Sequence, residues 1–130
     1  MSAAEPTSSP LADAWSWWEA RRLRYNLALA AAGWAAYGLM LLVMLTSGRA
    51  PWIDWQGGLS MTLFLGTLYL LLMGAANVCY LAGVALEAWM RPADPARYRN
   101  HAWRLGLLGS ITLPFAVPAI NLAMVIGRVG

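Results

Sequence analysis

The sequence predicts an all-α, polytopic integral membrane protein with three transmembrane helices and an N-terminal interfacial helix. Apolar residues make up 60% of its 130 residues and charged residues 12%, whereas soluble domains average about 25% charged. Three apolar runs are each long enough to cross the ~30 Å hydrocarbon core of a bilayer. Arginines, with no lysine, lie beside these runs, where the positive-inside rule expects basic residues.

The chain divides into a short N-terminal tail and one membrane domain. Residues 1–10 are rich in Ser, Pro and Ala, so we expect them to be disordered. Residues 11–130 are expected to form a single domain with spans at about 25–46, 59–88 and 102–126, since each of these runs meets the length that a membrane-spanning helix needs.

The segment before the first span is typical of the membrane interface. Ser9 and Pro10 match an N-cap and the first position of a helix. The helix that they begin carries tryptophans beside arginines: Trp15, Trp17, Trp18, Arg21, Arg22 and Arg24. Tryptophan favours the headgroup level and arginine the cytoplasmic side. We therefore expect a short interfacial helix that bends or runs straight into the first span.

The second span has a polar and an apolar face. At about 100° per residue, one face collects Thr62, Gly66, Tyr69, Met73, Asn77, Tyr80, Val84 and Glu87. The opposite face collects Phe64, Leu68, Leu71, Ala75, Val78, Ala82, Leu86 and Trp89. Polar groups in hydrocarbon need partners within protein. We therefore expect the polar face to meet other helices, with enough of it left over for self-association or for a larger complex.

The arginine distribution predicts the orientation. Three arginines lie in the N-terminal segment and four in the predicted second loop, Arg91–Arg104, where Pro92 and Pro95 are expected to stop the preceding helix. The first loop, residues 47–58, has one arginine and the C-terminus has one. The arginine-rich side should be cytoplasmic. We expect a bacterial inner (cytoplasmic) membrane protein with a cytoplasmic N-terminus and a periplasmic C-terminus.

Glu87 is the sharpest functional candidate, because an ionisable group within a span is a functional hypothesis by default. In the functional interpretation it binds a proton or a cationic substrate. In the structural interpretation it reaches the nearby cytoplasmic interface and pairs with Arg91, four residues on, which is the favourable order for a helical ion pair. The sequence favours the structural interpretation.

Asn77 is the second candidate. Pro114 and Pro118 lack an N–H and free the carbonyls of Ser110 and Pro114, and an asparagine amide supplies two donors for such carbonyls. A hydrogen bond that joins helices is favoured over a broken helix that lines a polar cavity. The candidate polar contacts within the membrane are thus Asn77, Tyr80, Glu87, Ser110, Pro114 and Asn121.

No pattern in the chain predicts catalysis, a cofactor or a metal. His101 is the only histidine and Cys79 the only cysteine, and the sequence has no phosphate-binding loop or nucleophile elbow. The arginines are explained by topology, so nucleic acid is not expected as a partner.

Two function classes remain. We expect a non-enzymatic accessory or structural subunit that contacts the lipid bilayer and a membrane protein partner or copies of itself. The alternative is a small oligomeric transporter or channel that uses Glu87 and Asn77. Transport requires these two side chains to face a hydrated cavity, whereas a structural role leaves them packed and dry.

Overall fold

The computed structural model describes residues 8–48 and 55–129, and this part of the chain is helical apart from short connections. Its elements are α1 (Pro10–Thr46), α2 (Trp55–Met90), α3 (Pro95–Thr112), a single 3₁₀ turn (Leu113–Phe115) and α4 (Ala116–Val129). α3, the turn and α4 form one continuous helical unit, called the third helical unit below. Three helical units are therefore long and apolar enough to span a membrane, which confirms the all-α class.

Of the two alternatives for the N-terminal segment, a bend or a straight run into the first span, the structure has the straight one, because α1 continues for 37 residues without a break. Its start is as predicted: Pro10 is in the first turn and the Ser9 side chain accepts the N–H of Ala12 at 3.2 Å. Ala14 and Trp18 are 0% and 3% exposed, so this segment packs against the other helices. The predicted disorder of residues 1–10 falls mostly on residues 1–7, outside the described residues.

The second loop is much shorter than predicted, because only Arg91–Asp94 connects α2 to α3. Pro95 begins α3, and the Asp94 side chain caps it by accepting the N–H of Arg97 at 3.0 Å. A proline that ends one helix is also well suited to the first turn of the next. The prediction of a loop to Arg104 was therefore wrong. The turn predicted at residues 47–58 has its centre, residues 49–54, outside the described part of the chain.

The best-packed region lies where α1 begins, α2 ends and α3 begins, called the proximal end below. Its buried core is Ala14, Trp18, Tyr25, Leu29, Tyr80 and Val84. α3 adds half-buried residues around this core: Tyr98, Ala102, Trp103, Leu107 and Ile111. α1 contacts every other helix, so it is the central helix of the bundle.

The opposite half of the bundle, called the distal half, is packed differently. α1 buries Ala32, Ala36 and Met40 there, and the third helical unit buries Pro114 and Pro118. α4 lies mainly against α1 rather than against α2. The distal half is therefore built on α1, with α2 and α4 on either side of it.

The two predicted faces of α2 are present in the structure. Every residue of the apolar face, from Phe64 to Trp89, is exposed, whereas the polar face is buried or half-buried at every position except Gly66. The hydropathy pattern alone therefore predicted which side of α2 faces the other helices.

Candidate functional site

Glu87 is the centre of a closed polar cluster at the proximal end. Its side chain is 5% exposed. Oε2 accepts the indole N–H of Trp18 at 2.8 Å, and Oε1 accepts Nε–H of Arg99 at 2.7 Å, with Nη2 of the same guanidinium 2.6 Å away. The carboxylate thus joins α1, α2 and α3, and both of its oxygens are occupied.

Small and aromatic residues position this cluster. Gly83 lies beside the Trp18 indole, and a Cβ at Gly83 would be in van der Waals contact with the ring at 3.4 Å, so the indole packs close to the backbone of α2. The Tyr80 hydroxyl donates to the Trp18 carbonyl at 2.5 Å. Trp17 stacks under the guanidinium of Arg21, 3.8 Å from the ring centroid, and lies 5.8 Å from that of Arg99. The Trp17 ring therefore makes cation–π contacts with the arginines of the cluster, which stabilise their positive charges.

The predicted ion pair between Glu87 and Arg91 was wrong. Arg91 lies one residue beyond the end of α2, and its N–H still donates to the Glu87 carbonyl at 3.0 Å. Its φ of 45° departs from the helical value, so its side chain leaves the backbone in a different direction from that of a helical residue, and the Glu87 carboxylate pairs with Arg99 instead. Arg99 takes its place because Pro95 starts α3 early enough for Arg99 to be helical and to face α2. The Asp94-Pro95 pair, which matches an N-cap followed by the first position of a helix, is the sequence signal that could have placed Arg99 on a helix.

Asn77 bonds to α1 and not to the third helical unit. Its Nδ2 donates to Oδ1 of Asn26 at 2.8 Å and to its own helix, at the Met73 carbonyl, at 2.9 Å. The predicted bond to the Ser110 carbonyl was therefore wrong, because the side of α2 that carries Asn77 faces α1. The Ser110 hydroxyl instead hydrogen-bonds that of Tyr25 at 2.7 Å.

Two further candidate residues lie on the third helical unit. Pro114 is buried inside the 3₁₀ turn, which is the local response to a helix position without an N–H. Asn121 is half-buried, and its Nδ2 donates to the Val117 carbonyl of its own helix at 3.0 Å. The structure therefore brings Asn77, Tyr80 and Glu87 together along the α1–α2 contact and leaves Asn121 apart from them.

Two more tyrosines, which sequence reasoning did not assign to partners, extend this contact. The Tyr69 hydroxyl donates to the Leu29 carbonyl, and the Tyr37 hydroxyl hydrogen-bonds Thr62 Oγ1 at 2.6 Å. The polar face of α2 is thus bonded inside the protein from its distal to its proximal end. Its hydrogen-bonding side chains therefore have partners within this chain, while Gly66 on the same face is exposed.

A cavity of about 700 Å³ lies in the distal half, between α1, α2 and the third helical unit. Its lining includes Gly33 and Trp34 of α1, Gly66 of α2, and Pro114 and Val117 of the third helical unit. Neither Glu87 nor Asn77 is among the lining residues. The polar cluster and the cavity are therefore separate features.

Within the described part of the chain, no three His, Cys, Asp or Glu side chains come together in a way that would hold a metal ion. Cys79 is exposed on the outer surface of α2. Comparison with protein-family models, curated proteins and solved structures finds no match for this chain.

Proposed function

We propose that this chain is a non-enzymatic accessory or structural protein of a bacterial inner membrane that acts through helix–helix contacts. The main support for this proposal is that the two candidate polar groups of the spans, Glu87 and Asn77, already have hydrogen-bond partners within the protein. Glu87 is 5% exposed and has three hydrogen-bonding atoms around it, and Asn77 is bonded to Asn26. A transport site needs polar groups that are free to bind and that face a hydrated path.

The competing proposal is a transporter or channel that uses Glu87 and Asn77, and the geometry gives it less support. The cavity of the distal half is lined by neither residue, and its walls are mostly carbon. Such walls give an ion no replacement for its hydration shell.

The outward face of α2 is the surface that we assign to partner helices. This face is apolar and exposed from Phe64 to Trp89, and Trp89 itself is 81% exposed. α2 has no charged residue from Trp55 to Leu86, which as a helix is about 48 Å long against a hydrocarbon core of ~30 Å. The excess length is accommodated by tilt or by extension past the lipid chains, and where the apolar face extends past them, contact with protein is the favourable way to cover it.

We also propose that the proximal end lies on the cytoplasmic side of the membrane. Seven arginines belong to this end of the bundle: Arg21, Arg22, Arg24, Arg91, Arg97, Arg99 and Arg104. The packing of the start of α1 against the end of α2 and the start of α3 supports one common side for all of them, and the positive-inside rule assigns that side to the cytoplasm.

The first test is a flux measurement. The purified protein is reconstituted into vesicles that contain a pH-sensitive dye, and a pH difference is imposed across the membrane. We expect no proton flux above that of protein-free vesicles, for the native chain and for Glu87→Gln alike. A flux that the native chain supports and Glu87→Gln abolishes would overturn the accessory proposal in favour of transport.

The second test looks for the partner in native membranes. A photo-crosslinking amino acid is placed at Val78 or Trp89 on the outward face of α2, and at Leu108 on α3 as the control; all three side chains are at least half exposed. We expect protein adducts at Val78 or Trp89 and lipid adducts at Leu108. Lipid adducts alone at all three positions would contradict a partner on α2.

A further inference from the structure

We propose that the distal cavity, called the lipid groove below, binds one hydrocarbon chain of a membrane lipid. The groove has a volume of about 700 Å³ and is formed by α1, α2 and the third helical unit. α1 packs against both α2 and α4, whereas α2 meets the third helical unit mainly through α3. The groove therefore opens sideways, between α2 and α4, toward the surrounding lipid.

The chemistry of the lining selects an apolar ligand. All four hydroxyl groups among the lining residues are already bonded within the protein. Tyr37 and Thr62 bond each other at 2.6 Å, Thr67 donates to the Leu63 carbonyl at 2.8 Å, and Tyr69 donates to the Leu29 carbonyl. A polar ligand would lose its hydrogen bonds to water without replacing them, whereas a hydrocarbon chain loses none.

The length of the groove matches one leaflet. On α2 the lining runs from Thr62 to Met73, a helical length of about 17 Å. Half of the hydrocarbon core is about 15 Å thick, which is the depth that one acyl chain covers. The volume also falls within the ~300–1,000 Å³ range of small-ligand sites in proteins.

A membrane-spanning partner helix fits the groove less well than a lipid chain. A spanning helix follows the whole ~30 Å of the core, but the lining of the groove on α2 ends at Met73. Just beyond Met73, the Tyr25 hydroxyl of α1 donates to the Ala76 carbonyl of α2 at 3.4 Å and hydrogen-bonds the Ser110 hydroxyl of α3 at 2.7 Å, so the three helices are in contact there. An empty groove is also unfavourable, because its lining atoms would have no contact atoms opposite them.

Two glycines of α2 provide a matched test. A Cβ at Gly66 or at Gly74 would meet no atom within 4 Å, so a side chain at either position begins in open space. Gly66 lines the groove and Gly74 does not. Gly66→Leu therefore fills the groove, whereas Gly74→Leu adds the same side chain to the same helix outside it.

The full chain is reconstituted into vesicles of phosphatidylethanolamine and phosphatidylglycerol with a trace of phosphatidylcholine that carries a diazirine on an acyl chain. After photolysis, the labelled residues are identified by mass spectrometry. We expect label on the half-buried Tyr37 and Met73 above the level on the outward-facing, 67% exposed Leu71. This excess should be lost in Gly66→Leu and retained in Gly74→Leu.

A second variant guards against a folding defect in Gly66→Leu. Val117→Phe fills the groove from the opposite wall, and it should remove the same excess while circular dichroism and thermal unfolding stay native-like. Equal labelling of groove and outward-facing residues in the native chain would overturn the proposal. So would disulfide formation between two copies of Gly66→Cys in a Cys79→Ala background, because a second chain would then occupy the groove. That second result would leave the accessory function standing.

Discussion

Glu87 and Arg99 form a charge pair whose contribution depends on both partners being present. Moving charges out of water costs several kcal/mol per ion, and a paired geometry only offsets that cost. Glu87 has little access to solvent, whereas the Arg99 side chain is 18% exposed. Removing the partner therefore costs more free energy when it leaves the Glu87 carboxylate unpaired than when it leaves the Arg99 guanidinium unpaired.

We expect Arg99→Leu to lower the free energy of unfolding by about 3–5 kcal/mol, because it leaves the Glu87 carboxylate buried with only the Trp18 indole as a donor. Thermal and denaturant unfolding in mild detergent, followed by circular dichroism, measures this loss. The matched control is Glu19→Gln, which breaks the exposed pair of Glu19 and Arg22 and should change stability by less than ~1 kcal/mol.

The double variant Glu87→Leu with Arg99→Leu separates pairing from packing. Replacing both charges removes the unpaired carboxylate, so the double variant should be more stable than Arg99→Leu alone. If Arg99→Leu melts like the Glu19→Gln control, the ion pair does not hold the three helices together.

The Asn26–Asn77 hydrogen bond is the second residue-scale feature, and a double-mutant cycle tests it. Asn77→Leu and Asn26→Leu should each cost on the order of 1 kcal/mol, and the double variant little more than either one, since both remove the same bond. Asn121→Leu is the control, because Asn121 bonds only within its own helix. Fully additive losses at Asn26 and Asn77 would show that the two amides act independently.

At the scale of elements, Gly33 sets the distance between α1 and α2. The Tyr69 ring lies where a Cβ at Gly33 would stand, and its hydroxyl donates to the Leu29 carbonyl one turn earlier on α1. Close helix approach at a small residue is the main source of packing energy between helices in lipid.

We expect Gly33→Ala to weaken the α1–α2 contact, because the added methyl group displaces the Tyr69 ring and breaks its hydrogen bond. Overpacking of this kind costs typically 1–3 kcal/mol. Gly38→Ala is the control, since a Cβ at Gly38 meets nothing within 4 Å. Thermal unfolding should separate the two variants, and combining Gly33→Ala with Tyr69→Ala should remove the steric part of the loss. Equal melting of Gly33→Ala and Gly38→Ala would contradict this account.

At the scale of the whole molecule, the proximal end carries nearly all of the charge. Its arginines surround the core cluster, whereas the apolar runs beyond Tyr25 on α1 and beyond Arg104 on the third helical unit contain no charged residue until the distal end. The proximal end is thus charged and well packed, whereas the distal half is apolar and contains the lipid groove. The bundle therefore has a polarity along its axis, with different charge and packing at its two ends.

This polarity leads us to expect a cytoplasmic N-terminus and a periplasmic C-terminus. Alkaline phosphatase fused to the C-terminus should be active, because it folds in the periplasm, and green fluorescent protein fused there should be dark. The same two fusions at the N-terminus are the controls and should give the reverse result. A fluorescent C-terminal fusion would overturn the orientation or the three-span topology.

The sequence by itself determined the features that depend on local pattern. Hydropathy gave three apolar runs, the two faces of α2 followed from helical periodicity, and Ser9 with Pro10 marked the start of α1. These features need no knowledge of neighbouring helices, because each helix satisfies its own backbone and turns its polar side chains away from lipid.

Only the tertiary structure decided which polar groups meet. Several arginines lie near Glu87 in the sequence, and the positive φ of Arg91 together with the early start of α3 at Pro95 selects Arg99. The sequence pointed only to proline-freed carbonyls as partners of Asn77, and the rotation of α2 toward α1 gives it Asn26 instead. The lipid groove depends on the relative positions of all three helical units. Pairings of this kind depend on the height and rotation of whole helices, which hydropathy and periodicity within one helix do not encode.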